Sequence, residues 1–385
     1  MLAASALLAL GLICTAFDWP AKPNDTLRQD MIAYANAFLT DYQGQPVAKP
    51  IRQFLKKRAK DKDPYAWMQA THQFVQDLKQ QYPPAVENEK VRARILQLLD
   101  YPLHVNNYDT HAAPEELAAY YTSAQAYLNT ARETVLTQLE ANSGVTSKAT
   151  IWKIYNCGIV IRTAHLTVGI DISDCPAFPA EYPTWQPSDY TRLAAQLDIL
   201  FLTHPHDDHY ALPLLRAMLD AGKPVVLPGP VASFTQTSPL IHLVTQPNTT
   251  PQQIGSVAFC SYPGNQGAGI PCNVYWLDIE GFRVVHNGDN YDRAGEAMMA
   301  TLPGAHVVFG ASWNDPQDLL TATRKASGAA GQLFIPMHEN ELGHSVNHRE
   351  SYHELFARED RLGNPKFAYP PVLLLDCGEH YTCSY

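Results

Sequence analysis

From about residue 147 onward, the chain alternates short runs of apolar, β-favouring residues with turn residues. The clearest runs are "TIWKIYN", "GIVIRTA", "LTVGIDI", "LDILFLTH", "SVAFCSY", "HVVFGAS", "QLFIPMH" and "PVLLLDCG". Such runs are typical of β-strands, and helical stretches such as "YALPLLRAMLDAG" lie between some of them. Many strands with interspersed helices predict an α/β domain in which sheets and helices form separate layers. Within it, "YWLDIEGFRVV" predicts a hairpin that turns at Glu280 and Gly281.

The preceding part of the chain has a different periodicity. Between about Asn24 and Ala141, apolar residues recur at intervals of three and four in "TLRQDMIAYANAFLTDY", "IRQFLKKRAK", "DPYAWMQATHQFVQDLKQQY", "NEKVRARILQLLD" and "APEELAAYYTSAQAYLNTARETVLTQLEA". This spacing predicts amphipathic helices. We therefore predict a mostly helical N-terminal domain over residues 17–146 and an α/β domain over residues 147–385.

The first residues, "MLAASALLALGLICTAFDWP", form an apolar run that ends in the small residues Cys14, Thr15 and Ala16. This pattern predicts a secretory signal peptide over residues 1–16, and so a periplasmic or secreted protein. Because no Lys or Arg precedes the run, a retained membrane anchor is the alternative. Six further cysteines permit disulfides, and Cys377 and Cys383 are close enough in sequence to form a local pair.

The overall charge indicates what kind of partner to expect. The formal net charge is -10. Proteins that bind nucleic acid need a basic surface that displaces counterions from the phosphates, so this balance argues against a nucleic-acid partner. We expect a small-molecule substrate.

The stretch "FLTHPHDDHY" carries the strongest chemical signal. It places His204, His206, Asp208 and His209 directly after the apolar run "LDILFLTH". One interpretation is that an aspartate caps the following helix and the histidines lie on the surface. Imidazoles rarely crowd in this way without a cation to share, however, and imidazole and carboxylate are the donors that zinc prefers. The stretch therefore predicts a metal site.

Three further polar residues, Asp171, Asp289 and His338, each follow an apolar run, in "LTVGIDI", "FRVVHNGDN" and "LFIPMHENELGH". Polar groups at strand ends emerge at the edge of a sheet, where ligands collect. For the two aspartates, a role in forming turns is the alternative.

Together these stretches resemble the metallo-β-lactamase fold, whose signature His-x-His-x-Asp-His is similar to "HPHDDH" here. The resemblance extends from about residue 147 to the C-terminus and is closest to the lactonase and phospholipase-D-like branch. It implies an αββα sandwich that binds one or two Zn²⁺ ions, with Mn²⁺ or Fe as alternatives. The implied metal ligands are His204, His206, Asp208, His209, Asp289 and His338. Asp289 would bridge two metals, and Asp171 would support the metal loop by hydrogen bonding.

The resemblance fails at one ligand. The family has one more histidine before the hairpin, whereas "VAFCSYPGNQGAGIPC" contains none, and Gln266, with Asn265 beside it, aligns with that position. Three outcomes stay open. The first metal site is weakened; or it is completed by Gln266 binding a harder cation or by His344; or the metal is lost.

Other polar residues near these stretches are assigned supporting or structural roles. Asn265 is expected to support the ligands. Glu339, Asn340 and Glu341, next to His338, are expected to support the ligands or contact substrate. The remaining histidines of this half that we treat as structural are His165, His242, His286 and His306.

The leading hypothesis is a metal-dependent hydrolase in which a metal-activated water attacks an acyl or phosphoryl substrate: a lactone, an amide or a phosphodiester. Asp208 is the candidate catalytic residue, because it is placed either to bind the metal or to orient the water and relay its proton. The alternatives are a binding module that has lost catalysis and a nuclease of the same fold.

Overall fold

The structure, a computed structural model, describes residues 47–58, 63–100, 114–142, 144–176, 178–231, 234–267, 269–291, 300–327, 329, 331–341, 352 and 372–385. Its first helices are α1 (Ala48–Arg58), α2 (Pro64–Gln81), α3 (Glu89–Gln97) and α4 (Pro114–Ala141). These four match predicted helical stretches. The predicted signal peptide and the stretch "TLRQDMIAYANAFLTDY" lie outside the described residues.

The strands that follow form two sheets. The seven-stranded sheet contains, in spatial order, β13 (His380–Ser384), β1 (Lys148–Lys153), β2 (Ile159–Arg162), β3 (Thr167–Ile170), β4 (Ile199–Phe201), β5 (Val225–Leu227) and β6 (Ile241–Leu243). The six-stranded sheet contains β12 (Leu333–Met337), β11 (Val307–Ala311), β10 (Phe282–His286), β9 (Pro271–Ile279), β8 (Val257–Asn265) and β7 (Asn248–Ile254). Along the chain, the described helices that alternate with these strands are α5 (Pro187–Gln196), α6 (Leu212–Asp220) and α7 (Pro316–Thr323).

The alternation of side chains along the strands builds two separate cores. On β1, Ile151 points into the core between the sheets, whereas its neighbour Trp152 joins the core under the helices. Between the sheets, the ring of Phe201 meets that of Tyr275 edge-on, with ring centres 5.2 Å apart. Two facing sheets with helices packed on their outer faces confirm the predicted αββα sandwich preceded by helices.

Parallel pairing brings several strand ends to one edge of the sandwich. In the first sheet β3 and β4 are parallel, and in the second β10, β11 and β12 are parallel. Asp171 directly follows β3, the "HPHDDH" stretch follows β4, Asp289 follows β10, and His338 directly follows β12. The carboxyl ends of parallel strands share an edge, so the polar stretches predicted to carry chemistry converge there.

The predicted hairpin is confirmed. β9 and β10 are joined by Glu280 and Gly281, both with positive φ (54° and 89°), as a two-residue hairpin turn requires. The stretch "PVLLLDCG" behaves differently from the prediction. Among its described residues, 372–378, only Val372 forms a strand-like bridge, to Phe334.

The six described cysteines are free thiols, so the local disulfide suggested for Cys377 and Cys383 is not formed. Cys383 lies on β13, where its thiol donates to the carbonyl oxygen of Ala149 (3.7 Å).

A buried cluster of charges joins the N-terminal helices to the C-terminal segment. Lys79 on α2 donates to Asp376 (2.7 Å), and Arg92 on α3 pairs with Glu379. The hydroxyl group of Tyr127 on α4 also donates to Asp376. Because each of these four charged side chains is paired with one of opposite charge, they can lie away from water. None of the helices in the described part of the chain is both long and apolar enough to span a membrane.

Candidate metal centre

Asp171 organises the loop that follows β4. It is fully buried, with φ of 49°, and accepts hydrogen bonds from the amide and the hydroxyl group of Thr203 (2.7 and 2.6 Å). Its Oδ2 also lies 2.9 Å from Nδ1 of His209. Burial alone would raise the pKa of Asp171, but the imidazoles of His209, His286 and His204 together lower that pKa. Nδ1 of His209 is thereby engaged, and Nε2 points into the site.

One group of ligands surrounds that Nε2 atom. It lies 3.2 Å from Oδ2 of Asp208 and 3.2 Å from Oδ1 of Asp289. Nε2 of His338 lies 3.2 Å from Oδ2 of Asp208 and 3.3 Å from Oδ2 of Asp289. We call Asp208, His209, Asp289 and His338 the His209 half-site.

A second group lies beside it and shares Asp289. Nε2 of His204 is 3.1 Å from Nδ1 of His206 and 3.7 Å from Oδ2 of Asp289. The amide nitrogen of Gln266 is 3.1 Å from the same Asp289 oxygen and 3.4 Å from Nδ1 of His206. We call His204, His206, Gln266 and Asp289 the His204 half-site. Burial, with a smaller contribution from His209, lowers the pKa of His204 to about 3, so its imidazole is neutral and able to bind a cation.

The geometry of both half-sites fits a bound cation. Two nitrogen or oxygen ligands bound tetrahedrally to one zinc ion lie about 3.3 Å apart, close to the distances found here. Within the described part of the chain, Nε2 of His209 is buried and has no hydrogen-bond partner, and neither has Oε1 of Gln266. An amide side chain can be turned over so that its oxygen takes the place of its nitrogen. Gln266 is thereby able to offer an oxygen where the family has its third histidine.

The turn between β1 and β2 contributes two residues that the sequence did not single out. The side-chain amide of Asn156 donates to Oδ2 of Asp208 (2.9 Å), and the thiol of Cys157 lies 3.9 Å from Oδ1 of Asp289. One asparagine and one cysteine in a turn are ordinary residues, so the only signal was their position after a strand. Sequence alone did not indicate that this turn reaches the metal ligands.

Three predicted residues, Glu339, Asn340 and Glu341, and one unpredicted residue, Lys153, lie around His338. Glu339 is buried and its carboxylate pairs with Lys153 on β1. Asn340 is buried with φ of 58°, and neither polar atom of its amide has a hydrogen-bond partner among the described residues. Oε2 of Glu341 lies 3.4 Å from Nδ1 of His338. Glu341 therefore orients the ligand His338, whereas the Glu339 carboxylate is committed to the ion pair.

One expectation about a supporting residue is corrected. Asn265 is exposed, and its side chain accepts from the backbone amide of Gly267 (2.7 Å), so it stabilises its own turn. His286, treated as structural, is fully buried. Its ring lies 3.7 Å from Oδ2 of Asp171 and 3.3 Å from the carbonyl oxygen of Cys157. His344, the alternative ligand, lies outside the described residues.

The other histidines treated as structural have contacts or positions away from the ligands. His306 accepts from the backbone amide of Arg283 (3.0 Å), and His242 lies on β6. His165 follows β2, and its backbone amide donates to Glu280 (2.9 Å).

No family model matches the sequence, and no curated protein matches it either. Among solved structures, the chain is similar to Igni18, a metallo hydrolase from the archaeon Ignicoccus hospitalis (17% identity, TM-score 0.45, covering 62% of this chain and 99% of that one). It is also similar to the metallo-β-lactamase fold protein YhfI from Bacillus subtilis (14% identity, TM-score 0.40, covering 61% of this chain and 99% of that one). A third similar structure is that of CmlA, a diiron β-hydroxylase from Streptomyces venezuelae (12% identity, TM-score 0.42, covering 67% of this chain and 63% of that one). Likenesses at these identities and TM-scores assign no activity to this chain.

Proposed function

We propose that this chain, which has the metallo-β-lactamase fold by the order of its sheets, is a metal-dependent hydrolase. The observation that carries the proposal is the sharing of one carboxylate, Asp289, between two groups of imidazole ligands. Imidazole and carboxylate donors in this number favour zinc, with manganese or iron as the alternatives.

The residues around Asp208 and His209 hold the ligands in position. Asp171 directs the Nε2 atom of His209 into the site, and Asn156 holds Oδ2 of Asp208. That oxygen also lies 3.2 Å from both imidazoles of the His209 half-site, which favours metal binding over proton relay as its role. When bound, the cation supplies Lewis acidity and lowers the pKa of water toward neutrality.

The surroundings of His338 support a small, partly apolar substrate. The ring of Trp313 lies 4.7 Å from the imidazole of His338 and stacks on Tyr291, whose side chain is 61% exposed. Aromatic faces beside a polar centre bind the flat or apolar part of a ligand. We propose a lactone, an amide or a phosphodiester as the bond that is hydrolysed. The net charge of -10 disfavours a polynucleotide.

We propose that the protein acts outside the cytoplasm, in the periplasm or after secretion. The proposal depends on the apolar first residues, which resemble a signal peptide. Sequencing the N-terminus of the protein purified from its host tests it. Cleavage after Ala16 is expected, and an intact Met1 in the cytoplasmic fraction would contradict it.

Metal content and hydrolysis, measured together, test the proposed function. The purified protein is expected to contain zinc, manganese or iron and to hydrolyse at least one of a set of lactones, amides and phosphodiesters. His209→Ala should lose both properties. His242→Ala, a change on β6, should keep them. A correctly folded protein that binds no divalent metal after repletion would overturn the proposal and leave a binding scaffold.

A further inference from the structure

The turn between β1 and β2 directs Cys157 toward the ligands. The backbone amide of Gly158 donates to the carbonyl oxygen of Tyr155 (2.7 Å). The backbone amide of Ile154 donates to the carbonyl oxygen of Gly158 (2.8 Å). A Cβ atom at Gly158 would lie 2.9 Å from the Tyr155 oxygen, so only glycine fits there. Asn156 adopts φ of 50°. A turn constrained in this way fixes the direction of the cysteine side chain.

The thiol lies among metal-binding atoms. Cys157 is fully buried, and its Sγ donates to Oδ1 of Asp289 at 3.9 Å. One ligand atom from each of Cys157, His209, Asp289 and His338 lies within 4.8 Å of the others. A sulfur and an oxygen bound to the same zinc ion lie about 3.6 Å apart. The observed separation is therefore close to that of two ligands of one ion.

A second, independent observation shows where a cation would lie. His209 is fully buried, and among the described residues its Nε2 atom has no well-aligned hydrogen bond, although two carboxylates face it at 3.2 Å. A buried polar atom without a partner is costly unless something binds it. A ring nitrogen of His209 and the Cys157 sulfur lie within 4.8 Å of each other.

We propose that Cys157 is a thiolate ligand of the cation held by the His209 half-site. The inference rests on the proposed metal-binding function and makes it more specific. On binding, the S–H bond of Cys157 breaks, a sulfur–metal bond forms and the proton passes to solvent. The half-site then combines sulfur, imidazole and carboxylate ligands, a set that selects zinc or iron over magnesium and calcium.

The two half-sites would then differ in chemistry. The His209 half-site has a sulfur ligand and two imidazoles, whereas the His204 half-site has two imidazoles and the amide of Gln266. Thiolate is a strong ligand for zinc and an amide oxygen a weak one. The cation of the His209 half-site is therefore retained more tightly, and the other is lost first on dialysis.

The competing explanation is that Cys157 is only a packed, buried thiol. It borders the core between the two sheets, and free cysteines are among the residues most often buried. Cobalt distinguishes the two explanations, because a thiolate bound to Co²⁺ gives an intense near-ultraviolet charge-transfer band that nitrogen and oxygen ligands do not give.

The experiment loads the metal-free full chain with one equivalent of Co²⁺ and records its absorption spectrum. The wild type and Cys260→Ser are expected to show the charge-transfer band. Cys260 is also fully buried, but it lies on β8, outside the ligand groups. Cys157→Ser should lose the band and bind cobalt at least about tenfold more weakly.

The outcomes separate this inference from the proposed function. Visible cobalt bands without the charge-transfer band in the wild type would overturn the role of Cys157 and leave metal binding intact. Persistence of the charge-transfer band in Cys157→Ser would also overturn it. Absence of any bound cobalt would instead contradict the proposed function. If Cys157→Ser fails to fold, the wild-type and Cys260→Ser spectra still give a result, because a missing band refutes the inference.

Discussion

At the scale of single residues, Asp171 shows how a side chain outside the two half-sites positions one within them. Its carboxylate accepts from Thr203 and holds the Nδ1 side of His209. The resemblance to the metallo-β-lactamase fold implied this supporting role for an aspartate that follows an apolar strand. It did not indicate Asn156 or Cys157, because a single residue of either type in a turn has no distinctive pattern.

Asp171→Asn should weaken zinc binding about 10–100-fold, because the amide supports the correct tautomer and orientation of His209 less strongly. Competition with a chromophoric chelator measures the effect. Asp63→Asn is the control. Asp63 caps α2, which is distant in sequence from Asp171, and asparagine caps a helix equally well. Equal zinc affinities for wild type and Asp171→Asn would contradict the role assigned to Asp171.

His72 should make stability depend on pH. Burial lowers its pKa to about 4, so the folded protein holds this imidazole neutral while the unfolded chain protonates it below about 6.5. The free energy of unfolding is therefore not lowered by His72 above that pH. It falls as the pH drops toward 4, by about 2 kcal/mol between pH 7 and 5. Urea unfolding of wild type and His72→Gln at both pH values should show a smaller loss in the variant. Equal losses would contradict the assignment.

At the scale of helices and strands, prediction succeeded where the apolar pattern was strong. The strands that precede Asp171, His204 and His338 are mainly apolar and were predicted from sequence. β7 ("NTTPQQI") and β13 ("HYTCS") were missed, because their residues are mainly polar and their pairing depends on neighbouring strands. The run "PVLLLDCG" was predicted as a strand, but Asp376 within it turns instead to the buried charge cluster.

Gly281 is required by the hairpin that positions β10 and, at its end, Asp289. Its φ is 89°, and an added Cβ would meet only an ordinary contact, 3.7 Å from Tyr385. Gly281→Ala should therefore destabilise the protein by about 1 kcal/mol through backbone strain alone. Gly229→Ala, where an added Cβ meets nothing within 4 Å and φ is not positive, should be neutral. Thermal unfolding of both variants measures the difference, and equal melting temperatures would contradict it.

At the scale of the whole molecule, the N-terminal helices and the sandwich are held together by charges that no local pattern reveals. Lys79 and Asp376 are far apart in sequence, and each alone looks like a surface residue. Both are buried in the structure, where Lys79 donates to Asp376 and Arg92 pairs with Glu379. Pairings of this kind depend on the tertiary arrangement. The spacing of apolar residues therefore predicted the helices but not the ion pairs that join them to the sandwich.

Lys79→Met should destabilise the protein by about 3–5 kcal/mol, because it leaves the buried carboxylate of Asp376 without its charged partner. Arg192→Met, which removes partly exposed ion pairs with Glu133 and Glu140, should cost about 1 kcal/mol. Urea unfolding at neutral pH compares the two variants. Similar losses for both would show that the buried cluster does not attach the helices to the sandwich.

The most direct test of the metal centre is a crystal structure of the zinc-loaded protein with anomalous scattering measured at the zinc absorption edge. The strongest peak is expected between His209, His338, Asp208 and Asp289, and a weaker one beside His204 and His206. Full zinc occupancy elsewhere, with no peak at the His209 half-site, would contradict the proposal that this strand edge is the catalytic centre.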